Sequence, residues 1–422
     1  MAIGIFRVFA CVHADSGALT FASTPRNPSS PGRHFFMNTI RLGIIGLGGM
    51  GSAHARSIIE GKAPRVTLSA VCDIAADLSK YAPAAKIFTS SEELIRSGEV
   101  DAVLIATPHY AHTTIGIDAL QNGLHVLSEK PISVHKADAQ RLIAAHTNPK
   151  QVFAAMFNQR TDPHYTKLRE LIQGGEFGEI RRVSWIITNW FRTQAYYNSG
   201  GWRATWEGEG GGVLLNQCPH NLDLFQWLFG MPSKVRATCT IGRYHDIEVE
   251  DDVTAVLNYD DGKSAVFITS TGEAPGTNRL EVTAERGRIV VEDGTIRWIR
   301  NEVPVSEFCQ TATTGFATPP TWNVEIPVNG TGEQHMGILK NFAAAILDGT
   351  PLIAPAAEGI HSVELANAML MSSFLDKTVE MPIDPACYEA LLKEKIANSK
   401  FKKKVVPVLA GDSDFASSFN KV

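Results

Sequence analysis

Cysteine is scarce in this chain. There are six among 422 residues (Cys11, Cys72, Cys218, Cys239, Cys309 and Cys387), scattered and without a CxxC pair. That spacing excludes a disulfide framework or a structural zinc site as the expectation and suits a reducing, cytoplasmic compartment. No apolar run is long enough to span a bilayer. An excess of either charge is also missing: 39 Lys and Arg stand against 44 Asp and Glu, a net charge of −5. The balance points to neither nucleic acid nor a membrane surface as partner, and it is too even for an acidic disordered chain. What is left is a globular composition long enough for two cores.

The first 37 residues read differently from the rest. They carry little charge, and Thr24-Pro-Arg-Asn-Pro-Ser-Ser-Pro-Gly32 is a loop or disordered composition. The apolar stretch 2–12 is interrupted by Arg7, lacks a charged lead-in and precedes no clear small-x-small site, so a signal peptide is not the expectation. Residues 1–37 are read as a disordered extension or a start assigned too early, with Met37 as the alternative start.

From residue 39 strands and helices alternate. Strands are expected at 40–45, 68–72, 102–106, 125–128 and 152–156. Helices are expected to about residue 60 and at 75–81, 112–122 and 136–146, with another beginning at Ser90 or Ser91 as N-cap. This rhythm predicts parallel strands joined by right-handed crossovers, a doubly wound α/β sheet over 38–158. The remainder predicts an α+β domain over 159–385 with a large, mostly antiparallel open sheet. It has a helix at 165–173, a strand at 181–188, an apolar helix at 213–229, strands at 234–241, 252–259, 264–271, 278–284, 287–292 and 296–299, and helices at 334–347 and 359–375. Asp260-Asp-Gly-Lys263 is a hairpin turn signal. A C-terminal helix and tail fill 386–422, frayed after Ala410, with the 400–404 lysine run as a solvated face.

Gly46-x-Gly-x-x-Gly51 follows the first strand and opens a helix, the context that gives this pattern meaning. Gly46 allows the tight turn, Gly48 lets backbone approach a pyrophosphate, and Gly51 lets helix and strand pack closely; Leu47, Gly49 and Met50 complete the loop. The helix N-terminus favours phosphate charge. Asp73 ends the second strand, about 25 residues after the glycines, where roughly 20 is usual. A carboxylate there bonds a ribose 2′-hydroxyl and repels a 2′-phosphate, and no arginine follows closely, so NAD is expected over NADP. Asp73 could also cap the next helix.

Ligands of such sheets lie beyond the C-terminal strand ends. Those ends carry Thr107-Pro-His109, Glu129-Lys-Pro131 and Phe157-Asn-Gln-Arg160. Lys130, desolvated beside a cofactor, could exchange a proton with a substrate hydroxyl or hydrogen-bond it. A second cluster runs from Gly210 to Asp223. If it is helical, Asn216 and His220 share a face at i, i+4, with Asp223 near His220, while Pro219 kinks the helix or marks a restart. Neutral His220 suits a general base.

Together these residues resemble the glucose–fructose oxidoreductase / inositol dehydrogenase / rhizopine catabolism (Gfo/Idh/MocA) family. The likeness covers about residues 39–385. It rests on Gly46-Leu-Gly-Gly-Met-Gly51, Ala106-Thr-Pro-His-Tyr-Ala-His112, Glu129-Lys-Pro131, the 210–223 segment and Gly359-Ile-His-Ser-Val-Glu-Leu-Ala366. The resemblance implies a Rossmann domain followed by an open-sheet domain, that sheet commonly serving as a dimer or tetramer interface. It implies that Lys130 takes part in catalysis, often followed by a cis proline, and that His220 acts as acid/base with the nicotinamide between the domains. Thr107, Pro108, His112, Glu129, Lys130 and Asn158 join the glycine loop and Asp73 as expected cofactor contacts. The chain departs from the family pattern in having Asn216 where aspartate is usual, and Cys218 where glycine is usual. Asparagine holds a hydroxyl but takes no proton, which leaves His220, assisted by Lys130, as the base.

The Trp190–Trp206 segment, rich in aromatics and arginine, looks like that of relatives acting on glycosides or hexose derivatives, with an ordinary buried cluster as the even alternative. Arg203, Trp206, Asn216 and Arg160 are the expected substrate contacts. Three functions follow: a dehydrogenase of a sugar, cyclitol or glycoside hydroxyl; a redox-assisted glycosidase that oxidises, eliminates and returns the hydride; or a non-catalytic sugar and dinucleotide sensor. Retention of both Lys130 and His220 argues against the last.

Overall fold

The computed structural model describes residues 39–406. The N-terminal extension and the tail beyond Ala410 lie outside that range. Strands β1 (Ile40–Ile45), β2 (Val66–Cys72), β3 (Lys86–Phe88), β4 (Ala102–Ile105), β5 (His125–Ser128) and β6 (Phe153–Ala155) form one parallel sheet in the order β3-β2-β1-β4-β5-β6. Helices α1 (Gly49–Ile59), α2 (Ser91–Arg96), α3 (His109–Gln121) and α4 (Lys136–Ala144) make the crossovers. β1 and β4 are neighbours although β2 and β3 intervene in the chain, so the strand order reverses there. That reversal opens the crevice at which open parallel sheets take ligands. β4 is a fully buried apolar run, and β1 is buried from Leu42 to Ile45, because helices cover both faces.

Two local expectations in this half need correction. No α-helix spans 75–81. Asp73 Oδ1 accepts the amides of Ala75 and Ala76 (2.8 and 2.9 Å) and Asp77 accepts that of Ser79 (2.9 Å), so side-chain turns replace it and leave only a 3₁₀ turn at Ser79–Tyr81. Helix α3 begins at His109, directly after Pro108, rather than at 112. Ser90 does cap α2, accepting from the Glu93 amide at 3.3 Å.

After α5 (Pro163–Gln173) the chain builds a nine-stranded sheet. It contains β7 (Ile180–Ile187), β8 (Lys234–Ile241), β9 (Glu250–Asn258), β10 (Ser264–Ser270), β11 (Asn278–Ala284), β12 (Gly287–Glu292), β13 (Thr295–Asn301), β14 (Thr321–Ile326) and β15 (Val379–Glu380). The order is β14-β13-β12-β11-β7-β10-β9-β8-β15, and every pairing is antiparallel except β7 with β10. Strands β8 and β9 alternate buried with exposed residues, as a sheet covered on one face requires. The covering layer includes α7 (Pro219–Phe229) and α10 (Gly359–Leu375), with α6 (Gln194–Asn198), α8 (Val305–Thr311) and α11 (Pro385–Asn398) outside it. Helix α9 (Gln334–Asp348) returns to the first half, where Ile338, Leu339 and Phe342 join the core of the parallel sheet. No helix among the described residues is long and apolar enough to cross a membrane, and the five cysteines there are free.

Candidate active site

Beyond the C-terminal end of β1 the Gly46 backbone has φ +94°, and a Cβ on Gly46 would meet the Ala106 carbonyl oxygen at 2.6 Å. A Cβ on Gly51 would stand 1.8 Å from the Gly46 carbonyl oxygen, so the first turn of α1 packs against the strand end only as glycine. Gly48 is different: nothing lies within 4 Å of its missing Cβ, and the open space sits at the N-terminus of α1, which also holds Gly49 and Met50. Asp73 Oδ2 accepts the Leu47 amide at 2.6 Å, tying the loop to the end of β2. Burial pushes the Asp73 carboxyl up, but amides of Ala75, Leu47 and Ala76 outweigh this and hold it below its ordinary value.

Thr107 and Pro108 lie between β4 and α3, with Pro108 as the N-cap. Thr107 Oγ1 is buried without a partner among the described residues. His112 Nδ1 lies 2.7 Å from the Pro131 carbonyl oxygen and Nε2 2.8 Å from that of Thr107, so the ring bridges the two strand ends. Burial lowers its pKa, and a neutral ring donates to one carbonyl at a time. Asn158 donates through Nδ2 to Gln334 Oε1 at 2.8 Å, leaving Oδ1 buried and unpartnered. An open helix N-terminus, two unspent buried oxygens and an ionised carboxylate at the end of β2 fit a dinucleotide.

Glu129 follows β5 and is buried with His54, whose Nε2 is 2.8 Å from Glu129 Oε1. Burial alone would raise this carboxyl; the His54 hydrogen bond and attraction to His54, His335 and Lys130 bring it to about 2. Sequence reasoning missed both His54, on α1, and His335, on α9, because nothing in their local pattern connects them to β5. The Lys130–Pro131 bond is cis. Lys130 Nζ donates to the Asn216 carbonyl oxygen at 2.8 Å, and burial lowers its pKa.

The 210–223 segment is not one helix. Residues 210–218 are turns, and Pro219 starts α7 as its first residue, where its missing N–H costs nothing. Asn216 and His220 therefore share no helix face. Lys130 and Asn216 still meet, through the backbone carbonyl. His220 is buried edge-on to Phe157, and neither ring nitrogen has a hydrogen-bond partner among the described residues. Burial, reinforced by the charge of Lys130, drives its pKa well below the ordinary histidine value, so the ring is neutral.

Asp223 does not attend His220. It forms a bidentate pair with Arg160 (both contacts 2.7 Å), and Arg160 Nη1 also reaches Glu358 at 2.5 Å. With its side chain buried and its donors spent, Arg160 is a structural cation, contrary to its expected substrate contact. Trp206 is likewise a core residue: it is 5% exposed and packs edge-on to Phe374, while its backbone N–H donates to Glu248 Oε1 at 3.0 Å and its carbonyl accepts from the Tyr110 hydroxyl at 2.9 Å. Apolar packing rather than ring exposure explains its place.

Arg203 does stand at the site. Its Nη1 donates to the Tyr196 hydroxyl at 2.8 Å; that hydroxyl donates to Asn216 Oδ1 at 3.2 Å. The Asn216 amide donates to Glu209 Oε1, while Glu209 Oε2 accepts the Ala204 amide at 2.6 Å. Glu209 is buried, and burial raises its pKa against the pull of Arg203. Sequence reasoning passed over it; an acid directly before Gly210-Gly-Gly was the available signal. The 400–404 run is only partly a solvated face, since Lys403 Nζ donates to the Tyr197 carbonyl and is half-buried.

Residues 40–157 match the oxidoreductase family model with NAD-binding Rossmann fold, and residues 165–290 match the GFO/IDH/MocA C-terminal domain. The chain belongs to the Gfo/Idh/MocA family of oxidoreductases. It is 25% identical over 342 residues to an inositol 2-dehydrogenase of Rhizobium meliloti, covering 79% of this chain and 97% of that protein. Among solved structures it is similar to the WlbA dehydrogenase of Chromobacterium violaceum in complex with NADH and UDP-GlcNAcA (TM-score 0.71, 25% identity, 82% of this chain and 97% of that one). Levoglucosan dehydrogenase in complex with NADH and L-sorbose shares the fold (TM-score 0.68, 20% identity, 82% and 100% covered). The oxidoreductase thus carries an NAD-binding Rossmann domain, and its parallel sheet and nine-stranded sheet are those of the family.

Proposed function

We propose that this oxidoreductase transfers a hydride between a hydroxyl-bearing carbon of a sugar, cyclitol or glycoside and NAD, with Lys130 and His220 as the proton-handling pair. The observation that carries the reading is His220: a buried, neutral imidazole with two unspent nitrogens, on the element beside the Lys130–Asn216 contact. Bound NAD supplies the hydride acceptor, and the glycine loop, Asp73, Thr107 and Asn158 are the residues that would hold it. His220 takes the hydroxyl proton, Lys130 steadies the developing alkoxide, and Asn216 holds a neighbouring hydroxyl. Asp73 favours NAD over NADP by like-charge repulsion. The enzyme is read as cytoplasmic and as a homodimer or homotetramer through the nine-stranded sheet, which a solution mass measurement checks.

Absorbance at the NADH band with free sugars, inositols and glycosides tests the reaction. Accumulation of NADH with substrate supports the dehydrogenase. Glycoside cleavage without net NADH replaces it by the redox-assisted glycosidase. Lys130→Ala is expected to lower kcat by about 10²–10⁴-fold, the usual worth of positioned acid–base catalysis; full activity in that variant refutes the assigned role.

A further inference from the structure

The aromatic segment beside the reaction centre carries more positive charge than the protein neutralises. Arg192 and Arg203 both lie over the Tyr196 ring, at 5.2 and 4.6 Å from its centroid, and Arg203 also lies over Trp202 at 4.5 Å. Stacking uses the faces of a guanidinium and leaves its in-plane N–H groups for other partners. Arg203 donates to the Tyr196 hydroxyl, and Arg192 to the carbonyls of Phe191 (3.0 Å) and Trp190 (3.5 Å); all are neutral acceptors. Neither arginine forms an ion pair with a carboxylate among the described residues. The nearby carboxylate, Glu209, spends its two oxygens on neutral donors, the Asn216 amide and the Ala204 N–H. Lys403, from the C-terminal segment, adds a third cation close enough to feel both Glu209 and Arg203, and its own donor goes to the neutral Tyr197 carbonyl.

The contrast with Arg160 is sharp. That arginine is buried and paired twice. Arg192, Tyr196 and Arg203 are only half-buried, so their unpaired charge faces accessible space. The Tyr196 hydroxyl joins this corner to Asn216 and, through the Asn216 carbonyl, to Lys130. A cofactor pyrophosphate does not fill the role, because its cradle is the separate glycine loop at the end of β1.

Resting on the dehydrogenase reading above, we infer that the substrate is an anionic sugar, whose carboxylate or phosphate is gripped by Arg203 and Arg192 while a hydroxyl elsewhere on the ring meets Lys130 and His220. Planar guanidinium forks match both oxyanions, and such charge-assisted bonds are roughly twice as strong as neutral ones. Lys403 assists by charge from the C-terminal segment.

Calorimetry on the NADH-loaded protein tests this without requiring turnover. The probes are glucose, glucuronate and glucose 6-phosphate, with galactose and galacturonate as a second set. At least one anionic sugar is expected to bind tenfold or more tightly than its neutral parent, and the two arms identify the oxyanion. Arg203→Gln is expected to reduce that ratio to below threefold, Arg203→Lys to retain an intermediate ratio, and Lys403→Met to cause the smallest drop. Anionic sugars binding no better than neutral ones, or not at all, overturn the inference. So does a ratio unmoved in Arg203→Gln that still binds NADH. Failure of the dehydrogenase reading is separate: NADH binds, yet no sugar of either kind reduces NAD.

Discussion

Two glycine loops carry residues of the candidate site, and each hangs from a carboxylate. In the cofactor half, Asp73 Oδ2 accepts the Leu47 amide at 2.6 Å. In the C-terminal half, Glu250 Oε1 accepts the amides of Gly212 (2.8 Å) and Leu214 (3.1 Å), two residues short of Asn216. Both loops also press glycine against backbone: a Cβ on Gly51 would lie 1.8 Å from the Gly46 carbonyl oxygen, and one on Gly212 would lie 1.9 Å from that of Glu250. The difference is solvent. Asp73 is half-exposed, and its amide partners outweigh burial and lower its pKa. Glu250 is fully buried with Oε2 unpartnered, and burial wins over its amide partners, raising it to about 7. One device is therefore charged across the neutral range, while the other titrates within it.

The largest effects test the steric half of this parallel. Gly51→Ala and Gly212→Ala should each cost at least the roughly 1–3 kcal/mol typical of overpacking, because a backbone carbonyl rather than a flexible side chain is in the way. Gly51→Ala should also abolish NADH binding. Gly48→Ala, with open space around the new methyl group, should change stability by under about 1 kcal/mol yet weaken NADH tenfold or more, because on the proposed reading the pyrophosphate would approach through that space. Thermal unfolding and NADH fluorescence titration measure both. Loss of stability in Gly48→Ala would remove the distinction between a packed and a ligand-facing glycine.

The cofactor loop was the more legible of the two, for a physical reason. Every part of it is local: a buried strand, three glycines, a helix start, then an acid at the next strand end. Strand–helix alternation exposed the parallel sheet in the same way. The other part of the candidate site depends on contacts between distant segments. Glu250 reaches back to Gly212, His335 comes from α9 to the Glu129 corner, and Glu209 acquires meaning only once Asn216 and Arg203 fold around it. Local periodicity carried residues 213–229 into one helix, where tertiary bonds to Glu250 hold the first part as turns. Arg160 and Trp206 were misread because a residue type alone does not reveal whether a neighbour, here Asp223 or Phe374, has already claimed it.

A smaller effect tests the electrostatic half. An acid raised from 4.5 to about 7 on folding binds more protons in the native state than in the unfolded state. Its cost to stability is absent below pH 4.5, grows between 4.5 and 7, and is constant above. By linkage that cost reaches about 3 kcal/mol. The stability of Glu250→Gln relative to wild type should therefore rise by about this amount between pH 4.5 and 8, measured by denaturant unfolding across the range. A flat difference would place Glu250 with Asp73.

Asp73→Asn should give the smallest change with pH, and the complementary sign. Because folding lowers the Asp73 pKa, its contribution is complete above the unfolded value of 3.8 and fades only as pH falls through the lower folded value. The amide replacement presents a donor where the native oxygens accept from Leu47 or from Ala75 and Ala76, so it should cost about 1 kcal/mol. Between pH 5 and 8 that difference should stay constant, in contrast to Glu250→Gln. The same variant removes the charge proposed to disfavour a 2′-phosphate, so its NADPH affinity should approach its NADH affinity in paired titrations. A preference for NADH left intact would mean that Asp73 serves only to hold the Leu47 loop.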